Sequence, residues 1–301
     1  MTKEQKKVFD IWWRLLRPHT LSAAFIPVFI GTVLALEITS IHFGLFGAML
    51  LASILIQAAT NMFNEYFDFK RGLDTKDSIG IGGTIVRDKV KPEIVLNLAF
   101  IFLGVATLLG VYICMMSSWW LAVVGLISMS VGYLYTGGPY PIAYTPFGEL
   151  VSGLFMGLLI ISISFFIQTD MVNLKTILIS VPTSILIGAI LMANNLRDFD
   201  GDKEKGRRTL VIILGKINGI RFFTGMFVAT YVFLLLLIFL NFASWWSMLV
   251  VLTIPTAIKA VKGFIGKSKP IEMMPAMKLT AKTNIQFGFL LGLSIIISHY
   301  I

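Results

Sequence analysis

The sequence has little of what many polar active sites are built from. Its 301 residues include one cysteine, Cys114, which excludes an internal disulfide and a cysteine-cluster metal site. The three histidines, His19, His42 and His299, lie far apart near the ends of apolar stretches, which argues against a histidine-based triad or metal centre. Polar chemistry in this chain therefore has to rest on carboxylates, asparagine, tyrosine and basic residues.

Charged residues are also scarce. They make up 14% of the chain, against roughly 25% in an ordinary soluble domain. Hydrophobic residues make up 56%, and the mean hydropathy is +0.84. So few charges cannot coat the surface of a water-soluble protein of this length. The composition excludes a soluble enzyme, a disordered chain and a nucleic-acid-binding protein, and it indicates an all-α polytopic protein in the lipid bilayer.

Nine stretches are apolar enough to cross a membrane as helices, which takes about 20 residues each. They cover residues 20–38, 43–64, 94–114, 119–135, 148–168, 176–196, 222–241, 245–262 and 283–301. Within lipid the backbone has no other hydrogen-bond partners, so stretches this close together must be packed helices. We therefore predict one domain, 1–301, of about nine transmembrane helices around a central cavity.

The distribution of lysine and arginine predicts the orientation. With the N-terminus inside and nine crossings, the C-terminus lies outside, and every Lys and Arg except Lys175 falls on the inner side. Positive residues flank membrane spans mainly on the cytoplasmic side. The predicted location is the cell membrane, with long cytoplasmic loops at about 65–93 and 197–221. Most acidic residues also fall there, so we expect the active site to face the cytoplasm.

Two acidic clusters in these loops share a spacing. Asn64 is followed four residues later by Asp68, and Asn194 and Asp198 each lie 130 residues after their counterparts. Residues four apart share one face of a helix. Because the offset corresponds to a shift of four spans, the pattern predicts two four-helix pseudo-repeats plus a ninth helix.

Carboxylate and amide oxygens suit Mg²⁺, which usually binds one or two carboxylates together with substrate phosphates. Basic residues close to each cluster could neutralise a phosphate; they are Lys70, Arg71, Arg87, Lys205, Arg207 and Arg208. Of these we take Lys70, Arg87, Lys205 and Arg208 as the diphosphate-binding set. The two clusters thus predict a diphosphate held by Mg²⁺ and cations, with its organic part in the bilayer. The alternatives are solvated loop charges, or a transporter that uses the acidic pairs as a cation site.

Three segments carry a resemblance to a known family. Residues 64–74, 135–149 and 194–210 resemble motifs of the UbiA superfamily of intramembrane aromatic prenyltransferases, and the similarity covers essentially the whole chain. The segments are most similar to the branch that prenylates 1,4-dihydroxy-2-naphthoate. The superfamily's first motif generally begins Asn-Asp, whereas position 65 here is Glu.

The resemblance implies roles for the acidic clusters. It implies Mg²⁺-diphosphate ligands at Asn64, Asp68, Asp74, Asn195, Asp198 and Asp202, with Asp68, Asp198 and Asp202 as the catalytic residues. Spacing alone does not decide between Asn194 and Asn195, since both can share a face with Asp198. Asp77 and Asp200 do not fit the spacing and are expected to be solvated.

The segment 132–149 is an inner connection without lysine or arginine, rich in tyrosine, glycine and proline. In the family this region flanks the aromatic acceptor and the prenyl tunnel, which implies a pocket formed by Tyr133, Tyr135, Tyr144 and Glu149. An ordinary interfacial tyrosine belt is the alternative. Arg17, at the start of the first span, is expected to snorkel to the interface, with recognition of an acidic ligand group as its alternative role.

The implied reaction is Mg²⁺-dependent transfer of a polyprenyl group from polyprenyl diphosphate to 1,4-dihydroxy-2-naphthoate. Carbon dioxide and diphosphate leave, and the product is demethylmenaquinone, an intermediate of menaquinone biosynthesis. Another aromatic acceptor, such as 4-hydroxybenzoate or haem, is the alternative within the same class.

Overall fold

The computed structural model describes residues 3–73 and 83–301, and every regular element within those ranges is a helix. The prediction of an all-α fold is confirmed. The first half of the chain contains α1 (Lys3–Leu16), α2 (Pro18–Leu34), α3 (Phe43–Lys70), α4 (Thr84–Arg87), α5 (Pro92–Met116) and α6 (Trp120–Leu134). The His42 imidazole caps α3 by accepting a hydrogen bond from the Leu45 N–H.

The second half begins with one long helical segment that changes type along its length. This segment comprises α7 (Gly148–Ser152), a π-helical stretch (Gly153–Leu159) and α8 (Ile160–Thr169). The remaining elements are α9 (Leu174–Arg197), α10 (Phe199–Glu204), α11 (Leu210–Leu214), α12 (Lys216–Phe239), a 3₁₀ helix (Trp245–Thr253), α13 (Ile254–Lys262) and α14 (Pro270–Tyr300).

Seven helices in the described part of the chain are long and apolar enough to cross a membrane. They are Thr20–Glu37, Phe43–Lys70, Pro92–Met116, Gly148–Thr169, Leu174–Arg197, Lys216–Phe239 and Pro270–Tyr300. The other two predicted spans correspond to the shorter apolar helix α6 and to the 3₁₀ helix joined to α13. The protein is therefore a multi-pass membrane protein, and the number nine stays a prediction.

Helix ends differ from the sequence prediction where the acidic residues lie. Helix α3 continues to Lys70, beyond the predicted end of its span at 64, so Glu65 and Asp68 lie on its last turns. Likewise, the connection at 197–221 contains α10, α11 and the start of α12. Helices therefore hold several of these acids in fixed directions: Glu65, Asp68, Asp200, Asp202 and Glu204.

The helices around the acidic clusters pack in corresponding ways. Helix α3 packs most extensively against α5, and α9 packs extensively against α12. Asp68 lies near the C-terminal end of α3, and Asp198 directly follows α9. The predicted duplication stays a prediction, but these arrangements are what it requires.

The opposite end of the bundle contains the charges that were predicted to lie outside. Lys175 Nζ lies 2.7 Å from both carboxylate oxygens of Glu37, and the Ser117 hydroxyl donates to Asp170 at 3.1 Å. Lys175 is at the start of α9 and Asp198 at its end, so the two polar regions are separated by the length of that helix.

The π-helical stretch packs very closely against α9. A Cβ at Gly153 would lie 2.7 Å from the Ser184 carbonyl oxygen, and one at Gly157 would lie 2.5 Å from the Ser184 Cα. Only glycine allows backbones to approach this closely, as is common between membrane helices. The contact places Glu149, at the start of this segment, beside the end of α9 that carries the second acidic cluster.

Candidate active site

The two acidic clusters meet at one guanidinium group. Arg207 Nη2 lies 2.8 Å from Asp68 Oδ1, and Arg207 Nη1 lies 3.2 Å from Asp202 Oδ1. Both carboxylates belong to buried residues, which are 9% and 7% exposed. Carboxylates 134 positions apart in sequence thus share one guanidinium group.

Local backbone geometry brings Arg207 to this position. Asp202 lies on the short helix α10, which is separated from the end of α9 by the single residue Asp198. Gly206 then adopts a φ of +76°, a left-handed conformation that glycine allows without strain. The chain turns back, and the Arg207 N–H donates to the Asp202 carbonyl at 3.0 Å. The guanidinium therefore lies beside the helix that precedes it.

Charges of both signs act on the cluster, since Arg197 pairs with Asp198 while Arg207 pairs with Asp68 and Asp202. Burial raises the pKa of Asp202 to about 6; Arg207 opposes this shift, while Asp198 and Asp68 add to it. Burial lowers the pKa of Arg207, but Asp68 and Asp202 outweigh that effect and hold its pKa above the ordinary value. A second cation placed among these carboxylates would be stabilised.

Tyr144 supports two cations at this site. The guanidinium carbon of Arg207 lies 4.5 Å from the centroid of its ring, and that of Arg71 lies 5.2 Å away. Arg71 also donates to the carbonyls of Thr136 at 2.5 Å and Gly138 at 2.8 Å. Tyr144, predicted as a pocket residue, thus links the 136–144 connection to both acidic helix ends.

A cavity of about 430 Å³ extends from this region into the bundle. Its polar end is lined by Arg17, Asn64 and Asn194, and its far end includes Cys114 and Trp119. Most of its other lining residues are apolar. The two asparagines lie one helical turn before Asp68 and Asp198, so the acidic cluster lies at the mouth of a largely apolar channel.

The two neighbouring asparagines of α9 have different surroundings. Asn194 lines the cavity, whereas the Asn195 side chain donates to Glu149 Oε1 at 2.8 Å. Glu149 is buried, and its Oε2 has no hydrogen-bond partner among the described residues. This arrangement favours Asn194 over Asn195 as the residue that faces a bound group, and it gives Asn195 and Glu149 a shared supporting role.

Two of the predicted pocket tyrosines are separated by the structure. Tyr135 lines the cavity, and its hydroxyl is buried without a hydrogen-bond partner in the described ranges. Tyr133 instead packs edge-on against Phe63 and Phe67, with ring centroids 5.2 Å and 5.6 Å away. The geometry therefore favours Tyr135 as the pocket residue and Tyr133 as part of the packing between α3 and α6.

The predicted diphosphate-binding cations surround the site at different depths. Lys70 is exposed and lies over the Tyr66 ring, and Arg208 is exposed with its backbone N–H donating to the Tyr144 carbonyl. Lys205 donates to the Leu73 carbonyl, which joins the two acidic connections. Asp74 and Asp77 lie outside the described residues. The set chosen from the sequence omitted Arg207, the cation that lies between the clusters; its place beside Gly206 was the available signal.

Glu65, the departure from the family pattern, binds backbone. Its Oε1 accepts hydrogen bonds from the N–H groups of Gly83 at 2.7 Å and Ile85 at 3.2 Å, and the residue is 1% exposed. The Arg87 side chain folds back over Gly83, where a Cβ would lie 2.6 Å from its Nε. Glu65 therefore fixes the turn that carries Arg87.

Glu65→Gln is expected to loosen this turn, since a neutral amide accepts hydrogen bonds more weakly than a carboxylate. Amide hydrogen exchange across 83–88, followed by mass spectrometry, should become about tenfold faster, which corresponds to about 1.4 kcal/mol. Glu93→Gln is the matched control because Glu93 is exposed on the neighbouring helix. Equal exchange rates in the wild type and Glu65→Gln would contradict this role.

The donor set at the acidic cluster fits Mg²⁺ in one particular way. Within 3–73 and 83–301, no group of three or more Asp, Glu, His or Cys side chains is close enough to hold a metal alone. Asp68 and Asn64 on the last turns of α3, and Asp202 on α10, nevertheless offer hard oxygen atoms. Such a set suits a metal that completes its coordination with water and substrate phosphates, as Mg²⁺ usually does.

The two acidic helix ends thus lie above a largely apolar cavity in a multi-pass membrane protein. Residues 24–285 match the UbiA prenyltransferase family, and the chain belongs to that family. The chain is a prenyltransferase, which excludes the alternative of a transporter that uses the acidic pairs as a cation site.

Two relatives with the same name are similar in sequence to this chain over nearly its full length. The chain is 52% identical over 297 residues to 1,4-dihydroxy-2-naphthoate octaprenyltransferase from Bacillus subtilis, covering 99% of this chain and 96% of that protein. It is 29% identical to the Escherichia coli protein of the same name, covering 100% and 99%.

Solved structures share the fold. A UbiA homologue from Aeropyrum pernix superposes with a TM-score of 0.68 at 13% identity, covering 94% of this chain and 98% of that one. A UbiA homologue from Archaeoglobus fulgidus, solved with GPP and Mg²⁺, gives a TM-score of 0.63 at 15% identity, covering 93% and 99%.

Proposed function

We propose that this prenyltransferase transfers a polyprenyl group from polyprenyl diphosphate to 1,4-dihydroxy-2-naphthoate, with loss of diphosphate and carbon dioxide, in the pathway that leads through demethylmenaquinone to menaquinone. The observation that carries the proposal is the meeting of Asp68 and Asp202 at Arg207, at the mouth of an apolar cavity. The choice of acceptor is supported by the relatives named for that reaction.

The acidic cluster would bind the diphosphate through Mg²⁺. Asn64, Asp68, Asp198 and Asp202 are the proposed ligands, with Asn194 as a neighbouring amide. When bound, Mg²⁺ would neutralise the negative charge that develops on the departing diphosphate. Arg207 supplies a fixed positive charge at the same place, and fixed charges of this kind cost no reorganisation during reaction.

The cavity would hold the polyprenyl chain and the reacting carbons. The bond between the first prenyl carbon and the diphosphate oxygen breaks, and that carbon bonds to the electron-rich ring. The ring then loses its carboxylate as carbon dioxide, and the prenylated product is left as a hydroquinone. Water would quench an allylic cation, and the largely apolar lining keeps water scarce. Tyr135, which lines the polar end, offers an aromatic face that could stabilise such a cation.

We also propose that the acidic cluster faces the cytoplasm of a cell membrane. The support is the sequence itself, in which the basic residues gather at the end of the bundle that carries the acids. Water-soluble 1,4-dihydroxy-2-naphthoate would then reach the site from the cytoplasm, while the polyprenyl chain stays in the lipid.

Product analysis with purified protein tests the function. The protein would be given an isoprenoid diphosphate with 1,4-dihydroxy-2-naphthoate, 4-hydroxybenzoate or haem, in Mg²⁺ or in EDTA. We expect diphosphate and a prenylated, decarboxylated naphthalene only in the mixture that contains 1,4-dihydroxy-2-naphthoate and Mg²⁺. We expect no product in EDTA. Prenylation of benzoate or haem instead would overturn the acceptor, and undiminished product in EDTA would overturn the metal.

A further inference from the structure

The cavity has one charge in its wall. Among the described residues that line it, Arg17 is the one that belongs to a charged residue type. That side chain is 19% exposed, and its Nε is buried with no hydrogen-bond partner in the described part of the chain. A buried N–H of a cation without an acceptor costs free energy, and an anion bound beside it would recover that cost.

The backbone holds Arg17 in an uncommon conformation. Its φ of 51° and ψ of 62° are left-handed, and it lies at the junction of α1 and α2. Asn61 fixes the junction by donating to the Leu16 carbonyl at 3.1 Å and the Thr20 hydroxyl at 3.0 Å. The guanidinium is thus held towards the cavity and not along the membrane interface, where snorkelling would place it. Strained residues of this kind are concentrated at functional sites.

The contacts that Arg17 makes leave it able to bind more. Its Nη2 lies 3.5 Å from Asn64 Oδ1 and 3.4 Å from Glu65 Oε2, both long for hydrogen bonds. The other oxygen of Glu65 is occupied by the N–H groups of Gly83 and Ile85. A guanidinium carries five N–H donors in a planar fork that matches a carboxylate.

We propose that Arg17 binds the carboxylate of the aromatic acceptor at the polar end of the cavity. The proposal rests on the proposed function, which supplies an acceptor with a carboxylate. Asp68, Asp198 and Asp202 would repel such an anion unless a cation stood beside it. Arg17 contacts Asn64, one helical turn deeper than Asp68, where the ring has to lie to meet the first prenyl carbon.

The diphosphate is the other anion that Arg17 could serve, and binding measurements separate the two. Dissociation constants of 1-hydroxy-2-naphthoate and its neutral isostere 1-hydroxy-2-naphthamide would be measured by fluorescence on wild type and Arg17→Gln. Both titrations contain Mg²⁺ and a non-reactive thiolo analogue of geranyl diphosphate. The dissociation constant of the analogue is measured separately. Arg17→Lys, which keeps the charge, gives the same comparison should Arg17→Gln fail to fold.

We expect wild type to bind the acid at least tenfold more tightly than the amide, the scale of a hydrogen bond to a charged group. Arg17→Gln should lose that preference, Arg17→Lys should keep part of it, and binding of the diphosphate analogue should change less than twofold. An equal preference in wild type and Arg17→Gln, or weaker binding of the diphosphate analogue alone, would overturn the inference. Failure of the proposed function would instead appear as wild-type protein that does not prenylate the naphthoate.

Discussion

Replacing Asp68 with asparagine is expected to slow the release of diphosphate from an isoprenoid diphosphate by about 10²- to 10³-fold. Losses of this size are seen when one preorganised group that stabilises transition-state charge is removed. The substitution keeps the shape of the side chain and removes its charge. Asp68 is one of two buried carboxylates that Arg207 joins. Loss of its charge should therefore weaken binding of the proposed metal and release the guanidinium from its position. The measurement is Mg²⁺-dependent diphosphate release at saturating acceptor.

Asp200→Asn is the matched control for this experiment. Asp200 lies on the same short helix as Asp202, but its side chain is 67% exposed and its partner, Lys216 Nζ, is 3.6 Å away. Activity should stay within about twofold of wild type, because exposed pairs contribute little. Near-normal turnover by Asp68→Asn at high Mg²⁺ would contradict the proposal that the two acidic clusters form one active site.

Replacing Arg207 with glutamine is expected to have the second largest effect, and on stability as well as activity. The change leaves Asp68 and Asp202 without their shared cation, and breaking a buried ion pair typically costs about 3–5 kcal/mol. The proposed binding of Mg²⁺ to the folded protein should restore part of that loss. Thermal unfolding in detergent should therefore show a lower midpoint for Arg207→Gln, with a larger gain on adding Mg²⁺ than wild type shows.

Arg208→Gln is the matched control for the Arg207→Gln experiment. Arg208 is exposed and uses its backbone N–H, rather than its guanidinium, to contact Tyr144. Arg208→Gln should unfold close to the wild-type midpoint and respond to Mg²⁺ as wild type does. Equal losses of stability in the two variants, or no extra response to Mg²⁺ in Arg207→Gln, would contradict a shared cation between the clusters.

Much of the fold could be predicted from the sequence because a lipid bilayer allows few backbone structures. Long apolar stretches must be helices in lipid, and the repeat of Asn64 and Asp68 at Asn194 and Asp198 pointed to two equivalent helix ends. Sequence spacing also left Asn194 and Asn195 as alternatives, since both lie on the same side of α9 relative to Asp198. In the structure, Asn194 lines the cavity, whereas Asn195 binds Glu149, whose segment is held against α9 by its glycine contacts.

The roles of the individual arginine side chains could not be predicted from the sequence. Arg71, Arg207 and Arg208 have equal charge and similar positions in the sequence, but their functions depend on which carbonyls, rings and carboxylates surround them. Arg71 binds backbone carbonyls, Arg207 binds two carboxylates, and Arg208 faces outward. Glu65 illustrates the same limit, because its partners at Gly83 and Ile85 depend on how the following turn folds back over α3.

The aromatic ring of Tyr144 has a consequence for how the site opens. Arg71 follows α3 and Arg207 follows α10, and both stack on this one side chain. A displacement of the 136–144 connection would therefore disturb the two halves of the protein at once. In native-state hydrogen exchange, the ends of α3 and α10 should therefore lose protection together, as one cooperative unit, rather than one after the other.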